Sequence, residues 1–281
     1  MPSYDTFEPI SATAHVTAGT IRFTAGDRLD TVVEVQPRDP KRDQDVRAAE
    51  QTEVTYANGA LTVRTPKQRY LVGRTGTVDI AVELPAGSRI DTTGAWAQVL
   101  GEGRLGEVRV KTSAGDVRLD TTGPLQLTVS HGSIIVDRVE GMAEITTSSG
   151  SLRVGTVDGP AVLKNSHGST TVGAATGDLR VSGANGDIDI TRAESSVTAT
   201  TAHGALRVAD VTRGTIELET SDGAIDIGIR EGIAAWLDVN SERGQVHNTL
   251  PTSEAPEKTE DSVKVRARTR YGNIDIRRAR A

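Results

Sequence analysis

The sequence predicts an all-β fold, a single-stranded parallel β-helix (β-solenoid) with about 18 residues per coil. Three observations carry this prediction: a glycine recurs at near-constant spacing, aliphatic residues alternate on both sides of it, and aromatic residues make up only 3% of the chain. A β-sandwich or β-meander also contains many short strands with glycine turns, but neither explains a constant spacing over seven copies. The recurring glycines, expected at turns between strands, are Gly115, Gly132, Gly150, Gly168, Gly186, Gly204 and Gly223, and Gly244 follows at a longer interval.

Each copy holds two short strands that meet at the glycine. The second and fourth residues after the glycine are usually aliphatic, as in Leu152 and Val154 after Gly150. The seventh and fifth residues before it behave alike, and this period-two alternation is typical of strands. Each strand is expected to pair with its equivalent one coil away, about 4.8 Å distant. One interior column is predicted to contain Ile134, Leu152, Ile188, Leu206 and Ile225, with Thr170 as a polar exception.

Two further features of the coil follow from the same residues. The inward spacing is irregular and lacks the six-residue period of left-handed hexapeptide helices, so a right-handed coil is favoured. Positive φ angles are expected at Gly150 and Gly168, because glycine populates that region without steric cost. A narrow interior filled by small side chains also explains the scarcity of aromatic residues.

The expected organisation is one elongated domain over residues 1–281. Residues 1–105 contain looser copies of the repeat and are expected to form irregular N-terminal coils. A charged segment within them, residues 39–51, is rich in helix-forming Ala and Glu and is predicted to be a short helical or loop insertion. Residues 106–248 form the regular coils.

The C-terminal segment, residues 249–281, has two parts. Thr249 to Ser262 is rich in proline and charge and is predicted to be a surface loop. The two strands after it are expected to cap the exposed end of the stack, where their arginines would discourage edge-to-edge association.

Composition narrows the classes of partner and the location. The net charge of −6 weighs against nucleic acid as a partner. The absence of cysteine excludes disulfides and thiolate metal sites and fits a reducing compartment. No secretory signal or apolar run long enough to span a membrane is evident, so a cytoplasmic location is expected. No cofactor and no small-molecule substrate are indicated.

Several segments resemble one known family over nearly the whole chain. They are the repeated glycine units, "TVVEVQPRDP", "AAEQTEVTYANGALTVRTPK", "VDIAVELPAGS" and the closing "VRARTRYGNIDIRR". The family is the bacterial β-strand-repeat family of unknown function called "putative adhesin" or toastrack, and the chain is most similar to its stand-alone actinobacterial members. The resemblance implies a β-helical fold and offers no catalytic motif. Family members with membrane anchors are associated with cell-envelope stress sensing, but no anchor is expected in this chain.

Three histidines suggest a metal site. His131, His167 and His203 each precede a marker glycine and are spaced by 36 residues, or two coils. Two coils separate Cα atoms by about 9.6 Å, which is too far for two imidazoles to share a metal without unusual reach. The favoured interpretation is an exposed polar ladder at the turns, with no metal bound.

Acidic residues after the glycine turns invite comparison with polysaccharide-cleaving β-helices, whose catalysis needs converging carboxylates. Arg207, however, is expected between Asp189 and Asp226, which indicates cross-strand ion pairs on a solvated face. No catalytic residues are therefore predicted, and the protein is expected not to be an enzyme. A further inward column is expected to form a polar ladder that bonds its own neighbours: Thr147, Asn165, Thr201 and Thr220.

The function predicted from these observations is a non-enzymatic scaffold or protein-interaction module that displays flat β faces to a protein partner and is linked to cell-envelope stress. The alternative is self-association into a structural polymer, as in bactofilin-like proteins. A polysaccharide-binding or polysaccharide-active β-helix is a weaker third candidate.

Overall fold

The computed structural model describes residues 2–66, 76–250 and 262–279, which group into two compact units, 1–140 and 141–281. We refer to them as the N-terminal and the C-terminal unit. The predicted loop at Thr249 to Ser262 lies mostly outside the described residues, and the single-domain organisation over 1–281 stays a prediction.

The described part of the N-terminal unit contains eleven strands and one helix. The helix, α1 (Asp43–Glu50), lies within the insertion predicted at residues 39–51 and confirms it. The strands are β1 (Ser3–Asp5), β2 (Ser11–Gly26), β3 (Asp30–Pro37), β4 (Glu53–Ala57), β5 (Ala60–Arg64), β6 (Val78–Pro85), β7 (Arg89–Arg104), β8 (Val108–Ala114), β9 (Val117–Thr122), β10 (Leu125–His131) and β11 (Ile134–Val139).

The described part of the C-terminal unit contains strands only. They are β12 (Ala143–Ser149), β13 (Leu152–Val157), β14 (Ala161–His167), β15 (Thr170–Ala175), β16 (Leu179–Asn185), β17 (Ile188–Ala193), β18 (Val197–His203), β19 (Leu206–Val211), β20 (Gly214–Asp222), β21 (Ile225–Ile229), β22 (Ala234–Ser241), β23 (Val246–Asn248), β24 (Ser262–Tyr271) and β25 (Ile274–Arg278).

The regular coils of both units pair in parallel with their equivalents one coil away, which confirms the β-solenoid. In the N-terminal unit β8 pairs with β10 and β9 with β11. In the C-terminal unit two parallel series run from β12 to β20 and from β13 to β21, each through alternate strands. The interior column runs in register from Leu152 through Thr170, Ile188 and Leu206 to Ile225, as predicted. Ile134 is in register with Val117 in the N-terminal unit. The handedness of the coil stays a prediction.

The turn glycines allow the coils to approach closely. Gly168 has φ 130°, and a Cβ atom there would lie 2.1 Å from the carbonyl oxygen of Gly150, one coil away. Real Cβ atoms do not come so close to backbone, so a larger residue would force the coils apart. Gly150 also has positive φ, at 138°, whereas Gly223 at the equivalent corner does not. The constant spacing of the glycines therefore reflects a backbone contact repeated at every coil.

The inward polar column bonds mainly to the backbone at these corners, which corrects the expectation that its members bond one another. The Thr220 hydroxyl donates to the Gly204 carbonyl at 3.1 Å. The Asn165 amide nitrogen donates to the carbonyls of Gly150 at 3.0 Å and Gly168 at 3.1 Å. These side chains therefore supply hydrogen-bond donors to carbonyl groups at the turns.

The N-terminal unit does not stack its coils in chain order. Strand β2 lies between β5 and β6 on one side and β7 on the other, always in parallel. The chain leaves β2, forms the outermost coil from β5 and β6, and returns to continue the stack with β7. Antiparallel strands then cover that outermost coil: β3 pairs with β6, β4 with β5, and β1 with β3.

The C-terminal unit is also threaded out of order, and the expectation that its last two strands cap the stack was wrong. Strands β24 and β25 lie inside, with β20 and β21 on one side and β22 and β23 on the other. The charges favour this order. Arg266 on β24 lies between Glu217 on β20 and Asp238 on β22, at 4.0 and 3.4 Å. Stacking in chain order would place the two acidic strands side by side, which is unfavourable for like charges directly opposite.

Candidate interaction face

The predicted histidine ladder is found on the exposed surface, without a shared site. In the C-terminal unit His167 and His203 lie in one column with Asn185 between them, while His131 is in register with Ala114 in the N-terminal unit. His203 faces Asp222, with 3.9 Å between Nδ1 and Oδ2. The described residues contain no group of three or more His, Cys, Asp or Glu side chains that could hold a metal.

The acidic residues after the turns have two roles that the structure defines. Arg207 lies between Asp189 and Asp226, at 4.0 and 3.4 Å, which confirms the predicted cross-strand ion pairs. At the corners themselves, Asp116 accepts the backbone N–H of Ser133, and Asp187 that of Ala205, both at 2.8 Å. These carboxylates tie one coil to the next and do not converge on a common point, so their arrangement is structural.

An exposed tryptophan marks a different surface, in the N-terminal unit. Trp96 on β7 is 70% exposed, although tryptophan is usually largely buried. Its neighbours in register are two alanines, Ala18 on β2 and Ala114 on β8. Because both neighbours are small, neither covers the indole ring. We call the outward side chains of β2, β3, β6 and β7 the Trp96 face.

Pleating explains which side chains form the Trp96 face. Side chains alternate across each strand, so residues two apart point outward together while their neighbours fill the core. One row across the four strands contains Gln36, Asp79, Thr20 and Gln98. The next row contains Glu34, Ala81, Arg22 and Leu100 in the same strand order.

Two adjoining depressions lie along these rows. One of about 510 Å³ is lined by Trp96, Ala18, Gln98 and Asp116 among others. The second, of about 390 Å³, is lined by residues that include Ala81 and Leu100. The two depressions share Thr20, Arg38 and Gln98. They therefore form a continuous shallow surface with an indole ring at one end.

Ion pairs balance the charge of the Trp96 face. Arg38 donates to the Asp79 carboxylate at 2.7 Å and to the Thr20 hydroxyl at 2.9 Å. The Arg22 guanidinium lies 3.5 Å from the Glu102 carboxylate. The Trp96 face therefore presents an apolar ring, small side chains and paired charges rather than a strong field of one sign. Such a surface suits a polar rim around an apolar anchor, the usual anatomy of a protein interface.

The comparisons with known proteins bear on the whole chain. A family model described as Toastrack DUF4097 matches residues 14–279. The chain belongs to the Toastrack DUF4097 family. No curated protein matches this chain.

Solved structures similar to this Toastrack chain are described as "putative adhesin" proteins. One from Bacteroides fragilis is 15% identical, with 98% of this chain and 95% of that chain covered and a TM-score of 0.39. One from Parabacteroides distasonis is 14% identical with the same coverage and a TM-score of 0.44, and one from Parabacteroides merdae is 12% identical with a TM-score of 0.43. These TM-scores are all below 0.5. Its helix α1, with eight residues, is the only one in the described part, and it is too short to cross a membrane.

Sequence reasoning did not single out Trp96 as a functional residue of this Toastrack chain, although a signal was present. The chain has only two tryptophans, Trp96 and Trp236. For the second tryptophan the pattern is readable from sequence. Trp236 lies in the segment "AAWLDVNS", where it alternates with the inward residues Leu237 and Val239 and therefore points outward. A tryptophan at an outward strand position in a chain poor in aromatic residues favours binding over packing.

Proposed function

We propose that the protein is a non-enzymatic interaction module that presents the Trp96 face to a protein partner. One observation carries the proposal: Trp96 is 70% exposed beside a continuous depression floored by small side chains. Exposed tryptophans are over-represented among the residues that dominate binding energy at interfaces. The sheet fixes the backbone of β7, so only the side chain of Trp96 has to be ordered on binding.

The chemistry of the face supports a binding role over catalysis. The carboxylates of Asp79 and Glu102 each lie against an arginine, Arg38 at 2.7 Å and Arg22 at 3.5 Å, so both are engaged in ion pairs. The proposal also includes a link to cell-envelope stress, which rests only on the resemblance to membrane-anchored members of the family.

The proposal is tested by affinity capture with cross-linking from a lysate of the native host, using three forms of the protein. These are the wild type, Trp96→Ser, and Met142→Ser, which removes another large exposed side chain. We expect a protein that the wild type and Met142→Ser retain and that Trp96→Ser loses. In titrations with the purified partner, Trp96→Ser should bind at least about 10-fold more weakly, since interface tryptophans commonly contribute about 2 kcal/mol or more. If every captured protein is retained equally by Trp96→Ser, the Trp96 face is not the binding surface.

A second candidate function, self-association into a structural polymer, is favoured by one observation in the C-terminal unit. Among the described residues, β22 pairs only with β24, so one edge of β22 has no partner strand there. A filament would need this edge to pair with a different edge of the next molecule.

A further inference from the structure

The outermost coil of the C-terminal unit is incompletely covered. Leu237 and Val239 on β22 point inward but are partly exposed, whereas Val265, opposite Leu237 on β24, is only 2% exposed. Trp236 on the outward side of the same strand is 58% exposed, and Val246 on β23 is also exposed. Among the described residues, β22 therefore has both a partly exposed apolar inner side and a backbone edge without a partner strand.

Strand β22 also lacks the features by which monomeric proteins protect an edge. Natural edge strands are kept short, carry lysine or proline, or point a charge inward. β22 has eight residues, contains no proline, lysine or arginine, and points alanine, leucine and valine inward. Its one charged side chain, Asp238, points outward and is engaged by Arg266 and Arg268. The strand is therefore close to neutral and ready to pair.

The strand is complementary to itself when it runs antiparallel to a second copy with Leu237 at the centre. Leu237 then faces Leu237 of the second copy, and Ala235 faces Val239. Trp236 faces Asp238, so no two like charges lie opposite each other. Inward residues meet inward residues throughout, which is the condition for a stable register.

We propose that β22 pairs with β22 of a second copy of this chain and forms a closed twofold dimer. The twofold pairing uses the same edge on both molecules and leaves that edge unavailable for further growth, in contrast to a filament. This dimer specifies the contact, β22 against β22, through which the self-association considered above would occur. It uses the edge of β22 and not the Trp96 face, so either can fail without the other.

Cysteine cross-linking tests this contact directly, because the chain contains no cysteine. In an antiparallel pair, opposite Cα atoms lie about 4.5–5.5 Å apart, within the range that a disulfide bridges. Leu237→Cys in the full-length protein should therefore convert almost completely to a disulfide-linked dimer on mild oxidation. Met142→Cys, at an exposed position remote in sequence, is the control and should stay monomeric on a non-reducing gel. Equal cross-linking of the two variants would overturn the proposal.

Light scattering after size-exclusion chromatography provides the second measurement. The wild type should show twice the chain mass of 29.7 kDa. Leu237→Lys, which would place two ammonium groups opposite each other, should elute as a monomer with an unchanged circular dichroism spectrum. A wild type that is monomeric from about 1 to 100 μM would overturn the proposal. A folded Leu237→Lys dimer would overturn it as well, and if Leu237→Lys does not fold, the cross-linking result decides.

Discussion

The outermost coils of the two units differ in how their backbone edges and inward residues are covered. In the N-terminal unit, antiparallel β3 and β4 pair with the coil formed by β6 and β5, and inward residues such as Leu61 and Ile80 are almost fully buried. In the C-terminal unit, β22 is parallel to its neighbour and its inward residues stay partly exposed. A reversal of chain direction lets one short hairpin cover an edge, whereas another parallel coil only creates a new edge. The antiparallel strands therefore cover the end of the N-terminal stack, and β22 has no such cover among the described residues.

The edges that remain in the N-terminal unit are also protected in ways that β22 is not. β1 has three residues and β4 has five, and each carries an acidic residue, Asp5 and Glu53 respectively. β22 is longer, with eight residues, and nearly neutral. The difference indicates that one edge is built to remain unpaired and the other to find a partner.

The largest expected effect contrasts an interior coil with the outermost coil. Leu152 is 1% exposed, so Leu152→Asp would bury an unpaired carboxylate at a cost of several kcal/mol and should unfold the neighbouring coils. Leu237→Asp places the same group at the partly exposed edge, where water can solvate it, so its effect on the monomer should be much smaller. Urea denaturation of both variants measures the difference. Arg153→Asp, one residue from Leu152 and facing water, is the control, and a folded Leu152→Asp protein would contradict the solenoid interior.

A smaller effect is expected at the glycine corners, again with an interior and a terminal site. Gly168→Ala should cost about 3 kcal/mol or more, because φ near 130° strains an alanine and its Cβ would meet the Gly150 carbonyl. Gly232, just before β22, has φ 82° but nothing within 4 Å of an added Cβ. Gly232→Ala should therefore cost only the backbone strain, about 1–2 kcal/mol. Equal losses in thermal denaturation would show that coil contact at Gly168 contributes nothing.

The cover of the N-terminal unit can be loosened by one buried side chain. Asp45 of α1 is fully buried, and its carboxylate accepts the backbone N–H groups of Thr77 at 2.9 Å and Asp39 at 3.2 Å. Asp45→Ala leaves both donors without this acceptor and should cost about 1–3 kcal/mol. Hydrogen exchange should accelerate in α1 while the regular coils keep their protection. Asp43→Ala, at an exposed position in the same turn, should leave exchange unchanged; an equal acceleration would contradict the role of Asp45.

The regular coils could be predicted from sequence because each repeats the same physical requirement. A glycine is needed wherever one corner contacts the carbonyl of the next, so Gly168 and its equivalents mark the register. The strand order at the two ends could not be predicted in this way, since copies that look alike do not reveal which one pairs with which. That order depends on cross-strand partners such as Glu217, Arg266 and Asp238, which become visible only once the strands are placed. The surface around Trp96 was not predicted for a related reason: it is assembled from β2, β3, β6 and β7, all of which lie in the irregular N-terminal coils.

The smallest effect is expected when a buried hydroxyl is removed from the interior column, at Thr170. Thr170 lies between Leu152 and Ile188 in the interior column, and its hydroxyl is 3.5 Å from the Asn165 amide nitrogen. That nitrogen already donates to the carbonyls of Gly150 and Gly168, so it does not need the hydroxyl. Thr170→Val keeps the shape and adds apolar contact, so the free energy of unfolding should stay equal or rise by up to about 1 kcal/mol. Thr220→Val is the matched control, because the Thr220 hydroxyl donates to the Gly204 carbonyl at 3.1 Å, and it should lose about 1 kcal/mol. A loss at Thr170 as large as that at Thr220 would mean that the interior of this coil depends on the hydroxyl as a polar partner.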